Sequence, residues 1–339
     1  MTRTFRDFLE HLTDEQKEQI IDTSIRMQNM QFKKFSSLEN TYRTNLIEKV
    51  VDEGIPTDDW IVTEKVDGAN FSFWCDGEQV KVASRNQFVD GTFYGCQEVI
   101  DEIAPKILAF CSDYDTQIVI YGELCGDGIQ KRVNYGKKSF VAFDVHCANS
   151  NNPVDKEFAI DLCERIGIPF APVLLRGSFE DCLAVNNTFK SLLTPEGYDG
   201  ANIAEGVVIE PVTPAWFRNG SRVYFKNKSE KFSEKKEKQK VKVSEELSLS
   251  EASQSVLHNL TSYVTESRVV SVISKIGKVG TKDFQRILGL TVQDAIEDYE
   301  KDIDVNVKDV CGDEWKAVLK MLNGWSAHII RSEFVKHID

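Results

Sequence analysis

The hexapeptide Lys65-Val66-Asp67-Gly68-Ala69-Asn70 constrains this chain more than any other segment. An apolar, β-rich run at residues 60–63 precedes it, and a second strand-like run at 71–74 follows the turn glycine. A lysine at the edge of a strand, beside a carboxylate and a carboxamide, can attack an activated phosphorus once it is held as a neutral amine. The pattern therefore predicts an active site at a strand-to-strand turn.

Length and composition set the limits for the rest of the chain. With 339 residues, of which 41% are hydrophobic and 28% charged, we expect a globular protein of two domains. No apolar run is long enough to span a bilayer, so no membrane association is expected. The eight cysteines form no Cys-x-x-Cys pair, which favours reduced thiols and a cytoplasmic protein over a disulfide framework or a zinc site. The formal net charge of −13 argues against a globally basic surface for nucleic-acid binding, but it does not exclude a local positive groove.

Changes in pattern divide the chain into four parts. Residues 1–31 are predicted to form an amphipathic helical extension that serves packing or solubility. Residues 32–232 mix strands and helices without strict alternation, which favours an α+β fold of antiparallel sheets with flanking helices. Residues 233–244 form a charged linker, and residues 245–339 show helical periodicity and predict a small helical domain.

Individual elements can be predicted in the second part. An Asp-Gly pair at residues 76–77 joins two alternating runs and indicates a β-hairpin. Further strands are expected at 117–123, 139–145, 206–209 and 222–225, and helices at 93–110 and 156–166.

A nucleophilic lysine that attacks a nucleotide needs carboxylates for a metal ion and cations for the phosphates. Residues of these types end or interrupt the predicted strands in a consistent order. Lys226 and Lys228 alternate and so share one face of a strand. The other candidates are Arg85 at a strand end, the carboxylates Glu123 and Glu205, and Phe143, which could stack on a flat base.

Together these motifs resemble those of covalent nucleotidyltransferases, and the likeness extends to the phage RNA ligase 2 family, which includes the kinetoplastid RNA-editing ligases. Lys-x-Asp-Gly-x-Asn resembles the nucleophile motif of the superfamily. The stretches at residues 32–40, 128–131, 231–236 and 268–294 resemble the RNA ligase family outside the shared motifs. The resemblance covers roughly residues 32–300.

This resemblance implies an ATP-dependent RNA ligase that seals 3′-OH/5′-phosphate nicks in duplex RNA. Lys65 would carry the AMP, and Lys226 and Lys228 would neutralise the α-phosphate. Glu205 would engage the metal ion, either Mg²⁺ or Mn²⁺. The remaining roles that it implies are positioning of adenine by Glu64, contact with the nucleotide or 5′-phosphate by Asn70 and Arg85, binding of ribose by Glu123, and stacking on adenine by Phe143.

In the C-terminal part, the family's functional Arg and Asp correspond to Arg268 and Asp294, with a role in RNA binding or in one of the later steps. A glutamate of the family is replaced by the shorter Asp298. The motif that begins at Glu205 ends in Glu210, where relatives often have a lysine, and we assign Glu210 no role.

Alternatives stay open at this stage. The protein could instead be a DNA ligase, a GTP-using capping enzyme or a non-catalytic RNA-binding relative. The sequence contains no phosphate loop of the Gly-x-x-x-x-Gly-Lys-Ser/Thr type. The expected partner is nicked double-stranded RNA, with RNA/DNA hybrid ends as a further substrate. We expect a monomer in the cytoplasm, which would be that of a host cell for a phage-encoded protein.

Overall fold

We describe the protein from a computed structural model, in which residues 30–235 and 249–338 are described. These residues form two compact units, which divide between Ser229 and Glu230. The first unit contains two β-sheets with flanking helices, and the second unit is built from helices. The predicted α+β class, with a helical C-terminal region, is confirmed.

Ten strands lie in the described part of the first unit. They are β1 (Glu39–Asn40), β2 (Trp60–Lys65), β3 (Ala69–Cys75), β4 (Val80–Ser84), β5 (Phe88–Val89), β6 (Ile118–Cys125), β7 (Ser139–Cys147), β8 (Val173–Gly177), β9 (Gly206–Pro211) and β10 (Phe225–Lys228). Four α-helices accompany them: α1 (Thr44–Asp52), α2 (Gln97–Tyr114), α3 (Lys156–Ile166) and α4 (Phe179–Leu183).

Each sheet has five strands, and the two sheets are connected by the turn that follows Lys65. The first sheet has the order β1-β10-β9-β2-β8, and the second has the order β5-β4-β3-β6-β7. All pairs are antiparallel except β1 and β10, which run parallel. Because β2 belongs to the first sheet and β3 to the second, the predicted nucleophile lies where the chain crosses between them.

Helices cover one side of the second sheet, and their sequence periodicity explains how. The buried residues of α2 are spaced at intervals of four, from Val99 through Ile103 and Ile107 to Cys111. This spacing places them on one helix face. They pack with Phe71 and other strand residues into one hydrophobic core.

The second unit consists of α5 (Glu251–Thr261), α6 (Glu266–Ile276), α7 (Phe284–Ile303), α8 (Val307–Cys311) and α9 (Trp315–Phe334), within its described residues. Ser250 and Thr265 cap the first two helices, because their side chains accept hydrogen bonds from backbone N–H groups in the first turn. The apolar faces of these helices enclose a separate core.

Several predicted boundaries need correction. The helix expected at 93–110 is α2, which starts later because Tyr94 has a φ of 50° that an α-helix cannot contain. The strand expected at 222–225 instead starts at Phe225. The N–H of Val223 pairs with the carbonyl of Ala215, so this part of the chain pairs with the preceding turn instead of with β9.

Other predicted elements agree with the structure. The hairpin of β3 and β4 and the helix at 156–166 are found where expected. All eight cysteines are free and buried. Two predictions fall largely outside the described residues. These are the helix at 1–31, up to residue 29, and the linker at 233–244, from residue 236 onward. No helix among the described residues is long and apolar enough to cross a membrane.

Candidate active site

Three adjacent strands of the first sheet bring two lysines to one carboxylate. Lys65 at the end of β2 and Lys228 at the end of β10 both lie opposite Gly206 in the central strand β9. Glu205 directly precedes Gly206 and accepts from both lysines. Its Oε2 lies 2.7 Å from Nζ of Lys65, and its Oε1 lies 2.8 Å from Nζ of Lys228. Glu205 and Lys228 follow Lys65 by 140 and 163 positions in the sequence, and the three residues form one charged cluster.

Gly206 is required at the centre of this arrangement. Its φ is +151°, and a Cβ atom there would lie 2.2 Å from the carbonyl oxygen of Asn227. Only a residue without a side chain allows β9 and β10 to approach so closely. The glycine therefore keeps the two lysines within reach of a single glutamate.

Glu205 is ionised in this site. Burial by itself would raise its pKa, but the ammonium groups of Lys228 and Lys65, with a smaller contribution from Arg132, lower the pKa to about 2. The carboxylate consequently keeps its negative charge at any physiological pH. It holds the two lysines in place before any nucleotide is bound.

The turn after Lys65 packs directly against the second sheet. Gly68 lies so close to β6 that a Cβ atom would be 2.3 Å from the carbonyl oxygen of Leu124 and 2.8 Å from Cγ of Glu123. Asn70 on β3 lies opposite Glu123 on β6. The small residue of the motif therefore brings Glu123 and Asn70 to the same end of the sheet as the nucleophile.

The partly buried Glu123 differs sharply in protonation from the buried Glu205. Burial raises the pKa of Glu123 to about 8, and the positive charge of Lys65 offsets only part of this effect. Glu123 is therefore mostly protonated at neutral pH in the absence of ligand and can donate a hydrogen bond as well as accept one.

Two other predicted residues contact surrounding loops. Glu64 points away from Lys65 and accepts hydrogen bonds from the hydroxyl of Ser191, at 2.5 Å, and from the backbone N–H of Leu192, at 2.8 Å. Arg85 follows the end of β4 and donates from Nη2 to the hydroxyl of Ser37, at 2.9 Å.

Phe143 and Lys226 lie on β7 and β10, one in each sheet. Phe143 lies in an irregular part of β7 and is partly buried against Phe35, with ring centroids 5.2 Å apart. Lys226 lies opposite Val208 on β9 and shares its strand face with Lys228.

Sequence reasoning missed an ion pair beside the nucleophile. Asp67, whose side chain is only 2% exposed, accepts hydrogen bonds from Nε and Nη2 of Arg132. Arg132 directly follows the stretch at 128–131 that carries part of the family resemblance. A basic residue next to this stretch was the only sequence signal for the pair. No regular spacing along the chain predicts that residue 132 contacts residue 67.

A second missed cluster explains why Glu210 is tolerated. Glu210 is buried and pairs with Lys156 at 2.8 Å and with Arg222 at 2.9 Å. The same two cations hold Asp144, and Nζ of Lys156 also donates to the carbonyl of Phe143, at 2.9 Å. Glu210 therefore has a structural role, which the sequence comparison had not assigned.

The predicted C-terminal residues also meet, within the second unit. Arg268 on α6 is fully buried and pairs with Asp294 and Asp298, which lie four residues apart on α7. The distance from Nη2 of Arg268 to Oδ2 of Asp298 is 2.9 Å. The shorter acid at position 298 thus still reaches the arginine.

Two family models match this chain. One, described as RNA ligase, matches residues 58–228, and a second, described as T4 RNA ligase 2 C-terminal, matches residues 247–327. The first range contains Lys65, Glu205 and Lys228, and the second contains Arg268, Asp294 and Asp298.

Solved structures of RNA ligase from Naegleria gruberi are also similar. A variant with ATP and Mn is 18% identical, with a TM-score of 0.46, over 58% of this chain and 56% of that protein. The enzyme with PPi is 18% identical, with a TM-score of 0.46, over 61% of each chain. The chain thus spans well under two thirds of those proteins. Because the RNA ligase model covers half of its length, this chain belongs to the RNA ligase family and carries a C-terminal region of the T4 RNA ligase 2 type.

Proposed function

We propose that the protein is an ATP-dependent RNA ligase that seals nicks with 3′-OH and 5′-phosphate ends in duplex RNA. The observation that carries this proposal is the placement of Lys65 beside an ionised Glu205, which a second lysine, Lys228, also contacts. Such a cluster brings a nucleophile, a carboxylate and a second cation into direct contact.

The reaction would proceed in three steps. First, the ammonium of Lys65 loses a proton to solvent, and its neutral Nζ bonds to the α-phosphorus of ATP while the bond from that phosphorus to the bridging oxygen of the β-phosphate breaks, which releases pyrophosphate. Next, an oxygen of the RNA 5′-phosphate attacks the AMP phosphorus, the bond to Nζ of Lys65 breaks, and the nitrogen takes up a proton again. Finally, the 3′-hydroxyl loses its proton to solvent and attacks the 5′-phosphorus of the RNA-adenylate, AMP leaves, and the strand is sealed. Lys226 and Lys228 would offset the negative charge that develops at phosphorus in each step.

The other residues would bind and orient the nucleotide. Phe143 has one side packed on Phe35 and would stack on adenine with the other side. Glu123 and Asn70, opposite each other on the second sheet, would hold the ribose and phosphate region, and Arg85 would contact the nucleotide or the RNA 5′-phosphate. Glu64 would act on adenine through the loop that it fixes at Ser191 and Leu192.

A divalent cation fits this site only together with phosphate oxygens. Among the described residues, no group of three His, Cys, Asp or Glu side chains could hold a metal ion alone. Mg²⁺ usually binds through one or two carboxylates, several waters and substrate phosphates, and Glu205 supplies such a carboxylate, with Mn²⁺ as the alternative ion. When bound, the metal would neutralise charge on the phosphates.

The C-terminal region favours the proposed substrate over the alternatives. Residues 247–327 match the T4 RNA ligase 2 type, and they fold as helices around the buried pair of Arg268 with Asp294 and Asp298. We propose that this unit serves transfer to RNA and not the attachment of AMP. Nicked double-stranded RNA, RNA/DNA hybrid ends, a monomeric state and a cytoplasmic location are parts of the same proposal.

The first test is covalent labelling of the full chain. Incubation with α-labelled ATP and Mg²⁺ should leave label on the denatured protein, whereas GTP should leave none. Lys65→Ala should abolish labelling entirely because no other side chain takes its place, while Lys81→Ala, an exposed strand lysine, should label normally. Label that persists in the Lys65 variant would refute the assignment.

The second test concerns the substrate. Nicked duplexes that carry RNA or DNA on either side of the break should be compared for sealing by the same preparation. We expect fastest sealing when both sides of the nick are RNA. Preferred sealing of an all-DNA nick would support a DNA ligase instead.

A further inference from the structure

A pocket in the first unit has no role in the reaction described so far. Its volume is about 340 Å³, and its lining comes from three segments, within residues 34–39, 146–153 and 216–224. None of the described residues that line it was predicted for the active site. Buried side chains form part of the lining, among them Arg222 and Tyr224, with the guanidinium of Arg222 4.9 Å from the centroid of the tyrosine ring.

The buried and acidic groups of this pocket are paired with neighbouring side chains. Arg222 forms ion pairs with Asp144 and Glu210, both of which are buried. Glu39, the acidic residue of the lining, pairs with Arg43. These pairs fix the wall of the pocket and balance its charges, so its exposed rim is the part that can contact a charged ligand.

The exposed rim is basic and contains an exposed aromatic side chain. Lys34 and Ser37 line the pocket and are exposed, and the exposed Lys33 directly precedes them. Trp216 also lines the pocket and is 47% exposed. Ammonium groups and hydroxyls are the usual protein contacts to a sugar–phosphate backbone, and an indole combines an apolar ring with an N–H donor. The rim therefore has the groups that a nucleic-acid strand requires.

The rim also contacts a residue of the proposed reaction. Nη2 of Arg85 donates to the hydroxyl of Ser37 at 2.9 Å. Arg85 is the side chain expected to contact the nucleotide or the RNA 5′-phosphate. With the 5′-phosphate at Arg85, the following nucleotides of the same strand can pass over Ser37 and reach Lys34.

We propose that the rim binds the sugar–phosphate backbone of the RNA strand that carries the 5′-phosphate. Lys34 neutralises a backbone phosphate, and the indole of Trp216 packs on a ribose and donates its N–H to a 2′-hydroxyl or phosphate oxygen. A protein with a net charge of −13 needs such a local basic surface to bind a polyanion. This inference rests on the proposed function, because it takes RNA as the substrate.

The test measures the dissociation constant of labelled nicked duplex RNA by fluorescence anisotropy, without ATP and at several salt concentrations. Lys34→Ala should weaken binding by about tenfold, because a charge-assisted contact is lost. It should also reduce the slope of log K against log salt by about one. Trp216→Ala should weaken binding by about threefold to tenfold and leave the slope unchanged, since no charge is removed.

A matched control and a change of substrate locate the effect. Lys106→Ala removes a lysine of α2, outside the pocket, whose side chain is 39% exposed, and it should leave RNA binding unchanged. Shortening the duplex on the 5′-phosphate side of the nick should abolish the difference between Lys34→Ala and the wild type. Shortening on the 3′-hydroxyl side should preserve that difference. The rate of AMP attachment to Lys65 should be the same in both pocket variants and in the wild type.

Three results would overturn the proposal. Normal RNA binding by both pocket variants would mean that the rim does not contact the substrate. A raised KM for ATP in AMP attachment would mean that the pocket belongs to the nucleotide site. A defect that disappears only when the 3′-hydroxyl side is shortened would mean that the other side of the nick lies there. Failure of the proposed function is distinguishable, because the wild type itself would then acquire no AMP.

Discussion

The two units each contain a buried charge cluster, and the clusters have opposite arrangements. In the first unit a carboxylate, Glu205, lies between two cations, Lys65 and Lys228. In the second unit a guanidinium, Arg268, lies between two carboxylates, Asp294 and Asp298. The central group is the more buried member in both.

The difference lies in which charge faces outward. The side chains of Lys65 and Lys228 are 20% and 11% exposed around a Glu205 that is 5% exposed, so the exposed part of the first cluster is positively charged. The second cluster presents acids that are 29% and 19% exposed around an arginine that is 1% exposed. We infer that the first cluster is arranged for chemistry on a phosphate and that the second mainly holds α6 on α7.

Removing the central charge of the first cluster should give the largest effect. In Glu205→Gln, Lys65 and Lys228 lose their shared partner and repel each other, so the rate of AMP attachment should fall by about a hundredfold or more. Folding should be nearly unchanged by circular dichroism. A variant that labels at the wild-type rate would contradict the comparison, and Glu164→Gln, in an exposed position on α3, provides the control.

Removing the central charge of the second cluster should affect stability before catalysis. Arg268→Met loses hydrogen bonds to the carbonyls of Tyr263 and Asp294 in addition to both ion pairs. We expect the free energy of unfolding of the second unit to fall by about 3 kcal/mol. Urea unfolding followed by circular dichroism measures this loss.

The same variant also tests the division of labour between the units. Labelling of Lys65 at a temperature where the second unit stays folded should continue, while sealing of nicked RNA should decrease. Loss of labelling in that folded variant would mean that the second cluster is also needed for attachment of AMP to Lys65.

The effect expected from Glu123 has a defined dependence on pH. Its pKa is raised by burial from 4.5 to about 8, so the folded protein binds more protons than the unfolded chain between these values. The free energy of unfolding should therefore fall as pH rises across this interval, by up to about 5 kcal/mol, and level off above it.

Glu123→Gln removes this titration. Without nucleotide, the variant should match the wild type near pH 5 and exceed its stability near pH 8.5, as measured by urea unfolding at both pH values. Equal pH dependence in the two proteins would show that Glu123 is ionised in the folded state.

The smallest effect is expected at the rim of the second cluster. Lys275 pairs with Asp294 at 2.8 Å, but both side chains are about one third exposed. Lys275→Met should change the free energy of unfolding by about 0.5 kcal/mol or less, because solvent screens such pairs. A decrease in the free energy of unfolding as large as that in Arg268→Met would mean that the exposed pair of Lys275 with Asp294, and not the buried arginine, stabilises the cluster.

Much of the fold could be predicted because local patterns are strong there. The Asp-Gly hairpin and the helix at 156–166 depend on residues close in sequence, and both were found as expected. The predicted start of α2 was wrong because no clear sequence signal indicates the left-handed backbone conformation of Tyr94. The strand at Phe225 was misplaced because its pairing partner decides where it begins.

The candidate site divides in the same way. Local motifs named Lys65, Glu205 and Lys228 but could not state that one carboxylate contacts both lysines. The partnership of Asp67 with Arg132, and that of Glu210 with Lys156, depends on contacts across 65 and 54 residues. No periodicity relates such positions.

The sequence by itself determined which chemical groups the protein has available: a lysine on a strand edge, acids and cations at strand ends, and a helical C-terminal region. Only the tertiary structure decided their protonation and pairing. Sheet register places Lys65, Gly206 and Lys228 side by side. The ammonium groups of Lys228 and Lys65 then lower the pKa of Glu205 to about 2, whereas burial raises the pKa of Glu123 to about 8. The physical reason is that electrostatic energies depend on distance and solvent exposure, which the order of residues along a chain does not specify.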